Sequence, residues 1–408
     1  MRRVQQHLAE CLAAVGPQRP LEVVLADAAG CVLAQDVTAS GDLPALDLAD
    51  RDGYALHSAD IAAAHPEAPA TVPVLEEVRA GSPERFRLPG GQAVKISSGA
   101  PLPIGADTVV PLASTDRGGV RVRVHAASAA GENVRRQGED VRAGETVLPA
   151  GQRIGARQMA LLAALGRGRV TVHPRPRIVV ISVGNELVDP SARARPGQIH
   201  DANGHGLATA IDDAGGVTYR VAAVPDEQSA LRETIEDQLV RADLIITTGG
   251  LSDGGGDTVK DVLAPLGTVR FDNLAMAPGG AFGLGVVGEG TPIMALPGHP
   301  VIAQIAFEAF VRPAVLSMSG YPRLYRDTVT AAVSRGWYSP PGRREFVPVR
   351  LTGAPGRGYL ATPEAEPGSL RLSALAASNA LAIVPEDTTQ VAAGDEFTCM
   401  IIEDDPQR

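Results

Sequence analysis

Cysteine, lysine and aromatic residues are scarce in this chain of 408 residues. The three cysteines, Cys11, Cys31 and Cys399, are scattered and form no C-x-x-C pair, which argues against a cysteine-based metal site. Lysine occurs only as Lys95 and Lys260, and aromatic residues make up 3% of the chain. We therefore expect free thiols in a reducing compartment, and hence a cytoplasmic protein.

Long apolar runs and excess positive charge are missing as well. No run of about 18 apolar residues is present, so we expect no membrane-spanning segment. The N-terminal stretch MRRVQQHLAECLAAVG is interrupted by polar residues, which is typical of an amphipathic helix rather than a signal peptide. The formal net charge of -10 argues against a nucleic-acid surface, although it is compatible with a local basic pocket for an anion.

Changes of pattern along the chain predict several domains, because 408 residues are too many for one ordinary core. Short alternating segments punctuated by Gly and Pro predict β-rich units. Strands that alternate with helices predict a mostly parallel, doubly wound α/β sheet. The predicted domains are a helical and mixed N-terminal linker domain (1–44 with 142–173), a β-rich domain (45–141), an α/β domain (174–324) and a small C-terminal β domain (325–408).

Within the α/β segment the periodicity predicts four strands and four helices. The strands are RIVVIS, VTYRVAAV, DLIITT and TPIMAL. The helices are DANGHGLATAIDDAG, DEQSALRETIEDQLVRA, DTVKDVLAPL and PVIAQIAFEAFVRPAVLSM.

The stretch IITTGGLSDGGGD follows the third of these strands and carries five glycines and two carboxylates. Ligands of open α/β sheets bind beyond the carboxyl ends of the strands, where glycine lets backbone N–H groups approach an anion. Asp257 would be a good N-cap for the next helix. The stretch matches neither a Walker A motif nor G-x-G-x-x-G. A long turn followed by a helix cap remains the structural alternative.

Other strand ends of the same sheet also carry polar residues. Ser182, Gly184 and Glu186 follow the first strand, and Asp226 follows the second. The fourth strand ends in a Pro-Gly-His-Pro turn. Singly, these residues have structural explanations: Asp226 as a helix cap, Pro300 as a first-turn residue and His299 as a solvated turn residue.

Together, the strand ends place three carboxylates, Glu186, Asp226 and Asp257, at one edge of the sheet. Carboxylates beside helix N-termini suit a phosphate-bearing ligand bridged by Mg²⁺. A zinc site is not expected, because His200 and His205 are five residues apart and do not share a helix face.

An ordered set of motifs along nearly the whole chain resembles the molybdopterin molybdenumtransferase family, the molybdenum insertases that include the gephyrin E domain. The stretch GENVRRQGEDVRAGE is an almost complete match to the family's N-x-R-x-x-G-E-D segment. The other matching stretches are DRDGYAL, KISSGAPLPIGADTVV, GQIHDANGHGL, TTGGLSDGGGD, ALPGHPV, GRREFVPVRL and GSLRLSALAASNALAIVPED.

The resemblance implies a transfer reaction: binding of adenylylated molybdopterin, insertion of molybdenum from molybdate, and release of AMP with help from Mg²⁺. It implies active-site roles for Asp52, Ser98, Glu186, Asp226 and Asp257, of which the last three would bind the metal. It implies substrate binding by Arg136, Asp140, Ser182, Gly184, Asp201, Gly249, Gly250, Ser252, Pro297 and Pro300. It implies molybdate binding by Arg343, Arg344 and Ser369.

The family resemblance also implies an elongated homodimer. Its cleft would combine the β-rich domain of one chain with the α/β domain of the other, so that Asp52 and Ser98 act across the subunit boundary. Further partners would be other cofactor-biosynthesis proteins or apo-molybdoenzymes, with no nucleic acid and no membrane.

Departures from the family concentrate at anion-binding positions. Ala277 and Gly280 stand where the family often has the two lysines of M-K-P-G-K-P, and Gly280 is a candidate for a positive φ. Asn185, Arg51 and His299 replace Asp, Met and Asn. Three functions are therefore open: an active insertase, a molybdopterin-binding paralogue that carries or delivers cofactor, and a pure interaction scaffold.

Overall fold

The computed structural model describes residues 1–82, 87–251, 258–266 and 268–403. The predicted fold class, an α/β domain with β-rich companions, is confirmed. The eight α-helices of the described residues are α1 (Val4–Ala14), α2 (Ala156–Ala164), α3 (Ala202–Asp213), α4 (Gln228–Leu239), α5 (Thr258–Leu263), α6 (Pro300–Ala306), α7 (Arg312–Met318) and α8 (Leu372–Ala377).

Two β-rich units occupy the first 173 residues. One is a five-stranded sheet in the order Thr108–Pro111, Gly53–Leu56, Ala93–Ile96, Ala70–Val78 and Arg121–Val124. The other is a three-stranded sheet in the order Leu21–Val24, Arg169–His173 and Val32–Leu33, which packs with α2. Two-stranded pairs complete them: Leu48–Ala49 with Val134–Arg135, and Val37–Thr38 with Thr146–Leu148.

The α/β domain contains one six-stranded sheet. Its strands are β1 (Arg177–Val183), β2 (Val217–Arg220), β3 (Leu244–Gly249), β4 (Arg270–Asn273), β5 (Ala281–Val287) and β6 (Thr291–Leu296), in the spatial order β2-β1-β3-β6-β5-β4. Strands β2, β1, β3 and β6 are parallel to one another. Strand β5 pairs antiparallel with β6, and β4 pairs antiparallel with β5. Apolar clusters cover both faces of the sheet, which explains why β1 and β3 are continuous apolar runs.

The sheet corrects the sequence prediction in two places. Strands β4 and β5 were not anticipated, because glycines such as Gly283 and Gly285 weaken a strand pattern. A Cβ at Gly285 would lie 2.1 Å from the Thr268 carbonyl oxygen, so close backbone approach accounts for one of them. Strand β2 ends at Arg220 rather than near Val224, which makes only an isolated bridge with Val183.

The long final helix of the domain forms as predicted, with one irregularity. Helices α6 and α7 are joined without a break by a π-helical turn, Phe307–Val311. The whole segment, Pro300–Met318, is long and apolar enough to cross a membrane, with a mean hydropathy of 1.5. However, 78% of it is buried inside the protein, and packing in the core accounts for its hydropathy.

The C-terminal strands close into a small barrel. The cyclic order is Arg344–Ala354, Gly358–Pro363, Thr328–Val333, Glu396–Ile401 and Ala380–Val384, and the last strand pairs back onto the first. A short strand from the α/β segment, Met276–Ala277, adds in parallel to the start of Arg344–Ala354. The α/β segment and the barrel are therefore linked by backbone hydrogen bonds.

Helix α1 packs in a different apolar cluster from residues 28–37 of the same N-terminal segment. Its buried residues Val4 and Cys11 belong to the same apolar cluster as β5 and the final helix. His7 is 4% exposed, and its ring meets Phe310 edge-on at 4.9 Å between centroids. Burial lowers the pKa of His7 to about 4, so the imidazole is neutral in the folded protein. The charged groups around it are Glu10, Arg2, Asp272 and Arg270.

The protein should lose stability as the pH falls from about 6.5 towards 4. The unfolded chain takes up a proton at His7 near pH 6.5, whereas the folded chain resists it down to about 4. We expect this group to cost about 2–3 kcal/mol of unfolding free energy at pH 4.5 relative to pH 7. Urea unfolding at both pH values should show the loss in the wild type and in the control His65→Gln. It should be smaller by that amount in His7→Leu, and an equal loss in His7→Leu would contradict the assignment.

Candidate functional site

The carboxyl edge of the sheet brings two glycine turns into direct contact. Gly249 ends β3 and Gly250 follows it, with φ of +87° and +64°, a region that favours glycine. A Cβ at Gly249 would lie 2.2 Å from the Val183 carbonyl oxygen, and one at Gly298 would lie 3.1 Å from the Gly249 Cα. Close approach of three strand ends therefore requires these glycines, and leaves bare backbone at the edge.

A buried carboxylate at this edge keeps one oxygen unpaired. Asp201 is the N-cap of α3, and its Oδ1 accepts from Gly204 N and from Ser182 Oγ, both at 2.9 Å. Its other oxygen, Oδ2, is buried and has no hydrogen-bond partner among the described residues. Because buried polar atoms are seldom left unpaired, Oδ2 marks a place for a ligand donor or a cation.

Asn203 ties two of the strand-end turns together. Its Nδ2 donates to Thr248 Oγ1 at 2.8 Å and to the Gly298 carbonyl at 2.7 Å, and Thr248 Oγ1 in turn donates to the Pro297 carbonyl at 3.2 Å. Sequence reasoning missed Asn203 and Thr248 as site residues. The signal was available for Asn203, which lies in the stretch GQIHDANGHGL that resembles the family.

Two of the three predicted metal-binding carboxylates lie on neighbouring strand ends. Asp226 N donates to Asn185 Oδ1 at 3.0 Å, which brings Asp226 beside the segment that carries Glu186. Asp226 Oδ1 is buried with no partner in the described part of the chain. The cap alternative for Asp226 is wrong, because Glu227 is the N-cap of α4 and makes no side-chain cap bond.

The third carboxylate, Asp257, lies outside the described residues, as does Ser252. Among residues 1–82, 87–251, 258–266 and 268–403, no three acidic, histidine or cysteine side chains cluster as a metal site. The unpaired Oδ1 of Asp226 and the carboxylate chemistry of the set nevertheless fit a hard cation such as Mg²⁺.

Glu186 and the fourth strand end complete the edge. The Glu186 carboxylate lies over Gly184, where a Cβ would be 2.7 Å from Glu186 Oε2. Pro297 is buried, and Pro300 occupies the first turn of α6 as predicted. His299 is exposed and caps α6 by accepting from Val301 N at 3.3 Å, so it is a cap as well as a turn residue.

Asp52 and Ser98 form a pair in the five-stranded β unit. Ser98 N donates to Asp52 Oδ1 at 2.7 Å, and Ser98 Oγ donates to the Asp50 carbonyl at 3.0 Å. Both residues are exposed, and these hydrogen bonds stay within the β unit. The structure thus brings the two predicted residues together, away from the α/β edge in sequence and in sheet.

The best-matched stretch, around Arg136 and Asp140, is held against the segment that contains Leu43 and Asp47. Arg136 pairs with Asp47 at 3.1 Å across a half-exposed surface, an arrangement that contributes little stability. Asp140 N donates to the Leu43 carbonyl, and the Asp140 side chain is exposed. These contacts give Arg136 and Asp140 a structural role, and their substrate-binding role stays a prediction.

The two departures from the family lie between the sheet edge and the barrel. A Cβ at Gly280 would lie 3.1 Å from Pro297 Cγ, so this loop reaches the α/β edge. Ala277, at 8% exposure, pairs with Glu345 of the barrel. Gly280 does not have a positive φ, so that expectation is wrong.

The predicted molybdate-binding residues differ in their surroundings. Arg344 Nη2 pairs with Glu386 at 3.2 Å, and the guanidinium also contacts the Gln5 amide of α1. Arg343 is exposed and takes part in no ion pair that the structure describes. Ser369 Oγ is buried without a partner within the described residues. The two Nη atoms of Arg344 are therefore engaged, whereas its Nε and the Ser369 hydroxyl are buried without a partner in the described part of the chain.

Family models match the chain in three consecutive pieces. The MoeA N-terminal region (domain I and II) matches residues 2–166, a probable molybdopterin binding domain matches residues 179–317, and the MoeA C-terminal region (domain IV) matches residues 330–402.

Curated and solved proteins are similar over nearly the full length. Molybdopterin molybdenumtransferase 2 of Mycobacterium tuberculosis is 39% identical over 403 residues, which cover 97% of this chain and 98% of that protein. Molybdopterin molybdenumtransferase 1 of the same organism is 37% identical over 425 residues, 97% of each. The crystal structure of a molybdopterin biosynthesis moea protein from Pyrococcus horikosii has a TM-score of 0.80 and 29% identity, covering 98% of this chain and 99% of that one.

Proposed function

The chain belongs to the molybdopterin molybdenumtransferase family, and we propose that it inserts molybdenum from molybdate into adenylylated molybdopterin with release of AMP. One observation carries the proposal. The carboxyl edge of the sheet combines bare glycine backbone with buried, unpaired carboxylate oxygens of Asp201 and Asp226. Backbone N–H groups suit an anionic ligand, and the oxygens suit a cation or the N–H groups of a ligand ring.

The chemistry at this edge is the cleavage of a phosphoanhydride. Mg²⁺, held by Glu186, Asp226 and Asp257, would neutralise charge on the phosphate oxygens. The chain's own part is positioning. Asn203 fixes the turns at Thr248 and Gly298, so that the backbone facing the ligand does not have to reorganise during the reaction.

Molybdate would enter from the barrel side. The loop that holds Ala277 and Gly280 connects the sheet edge to the barrel, where Arg343 and the Ser369 hydroxyl retain free donors. A dianion at such a place would be held mainly by charge-assisted hydrogen bonds. Molybdate and the dithiolene of the bound pterin would then meet at the junction of the two domains.

The direct experiment follows AMP release. Purified protein with adenylylated molybdopterin and Mg²⁺ should release AMP when molybdate is added, and should release much less without molybdate. Binding of adenylylated molybdopterin without release at any molybdate concentration would contradict insertion. That outcome would favour the second candidate, a carrier or delivery paralogue, which the uncharged residues Ala277 and Gly280 support.

The proposed active form is a homodimer with a shared cleft. Asp52 and Ser98 lie in a β unit distant in sequence from the sheet edge, and their placement across a subunit boundary would complete the site. Mixing inactive Asp52→Ala chains with inactive Asp257→Ala chains should therefore regenerate part of the activity, because a mixed dimer holds one intact cleft. A chain that is monomeric by light scattering at micromolar concentration would contradict this prediction.

A further inference from the structure

Ser369 is presented by a tight turn of the barrel. In the sequence Glu366-Pro367-Gly368-Ser369, Ser369 N donates to the Glu366 carbonyl at 3.0 Å, and Gly368 has a φ of +84°. Proline followed by a glycine of positive φ is the pattern of a type II turn. The turn therefore fixes the backbone from which the unpaired Ser369 hydroxyl projects.

A single arginine from another part of the barrel clamps the segment that leads into this turn. Arg335 Nη1 pairs with Glu366 Oε1 at 2.9 Å, while Nη2 donates to the Ala365 carbonyl at 2.7 Å and to the Pro363 carbonyl at 3.5 Å. A guanidinium is a planar fork with several fixed donors, so it can hold a carboxylate and two carbonyls at once. Lysine has the charge without that geometry.

The clamp and the turn lie towards the end of the barrel that meets the α/β domain. Val349 pairs with Pro363, and Glu364 N donates to the Pro348 carbonyl, so the chain after Pro363 runs towards the start of the strand Arg344–Ala354. At that start Glu345 pairs with Ala277 and accepts from Trp337 Nε1 at 2.9 Å. Trp337 is two residues beyond Arg335, so one short segment contacts both the turn at Glu366 and the start of the strand Arg344–Ala354.

We propose that Arg335 is a positioning residue for molybdate recognition: by fixing the turn Glu366–Ser369 it aims the Ser369 hydroxyl at the oxyanion. This inference rests on the proposed function, because it takes molybdate to be the acceptor for Ser369 Oγ. It also explains how the chain manages with Ala277 and Gly280 at positions without charge. A hydroxyl that is held in place loses less freedom on binding, and so offsets part of the missing attraction.

Kinetics with three variants test the proposal. Arg335→Ala should raise the molybdate concentration for half-maximal AMP release about tenfold and leave the rate at saturating molybdate nearly unchanged. Arg335→Lys should be almost as impaired, because it keeps the charge and loses the fork. Adding Arg335→Ala to Ser369→Ala should cause little further loss, since residues that act through one contact are not additive.

Arg350→Ala is the matched control. Arg350 Nε pairs with Glu364 at 2.7 Å, on the same segment but before the turn. General loosening of the segment would affect both variants equally. If Arg350→Ala raises the molybdate requirement as much as Arg335→Ala, or if the effects of Arg335→Ala and Ser369→Ala add fully, Arg335 is only structural and the proposal is overturned.

Equilibrium dialysis with molybdate separates this inference from the proposed function. If wild-type AMP release does not respond to molybdate, the proposed function fails, and dialysis still decides the inference. Wild-type protein that retains more molybdate than Arg335→Ala, at equal melting temperature, supports it. Equal retention by both proteins, or none by the wild type, overturns it.

Discussion

Asp226→Asn is expected to lower Mg²⁺-dependent AMP release by about a hundredfold or more, in the range seen when a group that stabilises developing charge is removed. The carboxylate loses its charge while its shape is kept. Stability should change little, because the bond to Asn185 comes from the Asp226 backbone N–H and Oδ1 has no protein partner among the described residues. Turnover as a function of Mg²⁺ concentration, together with the melting temperature, measures both expectations.

Glu227→Gln is the control for this experiment. Glu227 is the adjacent carboxylate, exposed, and makes no side-chain cap bond to α4. Its neutralisation removes the same charge from almost the same place, so it should leave turnover nearly unchanged. An Asp226→Asn protein that keeps wild-type turnover would mean that the Asp226 carboxylate has no part in the reaction. A Glu227→Gln protein that loses as much turnover as Asp226→Asn would mean that Asp226 acts only through the net charge of the site.

Ala277→Lys combined with Gly280→Lys is expected to lower the molybdate concentration for half-maximal insertion by about 30-fold, since each charge-assisted bond is worth about 1–3 kcal/mol. The backbone of Gly280 permits a side chain because its φ is not positive, although its Cβ would sit 3.1 Å from Pro297 Cγ. The gain should shrink at high ionic strength, because a partly exposed anion site is screened by salt.

Neutral variants at the same positions control for packing. Ala277→Met adds length without charge beside Glu345, and Gly280→Ala adds only the Cβ. Neither should lower the molybdate requirement. If the wild type already saturates at micromolar molybdate and the lysines change nothing, another cation has taken over their role. Arg51 is then the first residue to replace.

Some elements of the fold could be predicted from the sequence because the residues of one short segment were enough to indicate them. Strands β1 and β3 are buried on both faces, so they appear as unbroken apolar runs such as RIVVIS. Strand β5 was missed because its glycines are there for backbone approach to a neighbour, as at Gly285, and such contacts leave no periodic signal. Strand β2 was predicted too long, because the apolar pattern continues to Val224 whereas the strand pairing ends at Arg220.

The residues of the candidate site also fall into those that the sequence predicted and those that it did not. The glycines of the strand-end loop were predicted from their number, and Asp201 from its place in a family motif. Asn203 lies in the same stretch and was missed, although its place there was a signal. What the sequence did not show is its contacts, because Asn203 joins Thr248 to the Gly298 carbonyl and these two residues are 50 positions apart. Arg335 was missed as well, because nothing in its neighbourhood in the sequence indicates a turn some 30 residues later.

By itself, the sequence determined the fold class, the family and the edge of the sheet at which chemistry would gather, because local periodicity and ordered motifs encode these features. Only the tertiary structure decided which hydrogen-bond donors and acceptors are already paired and which are not. Arg344 Nη2 is paired with Glu386, whereas Arg344 Nε, Ser369 Oγ and the second oxygen of Asp201 have no partner in the described structure. The reason is physical: a hydrogen bond depends on where two side chains meet, and long-range packing sets that meeting place.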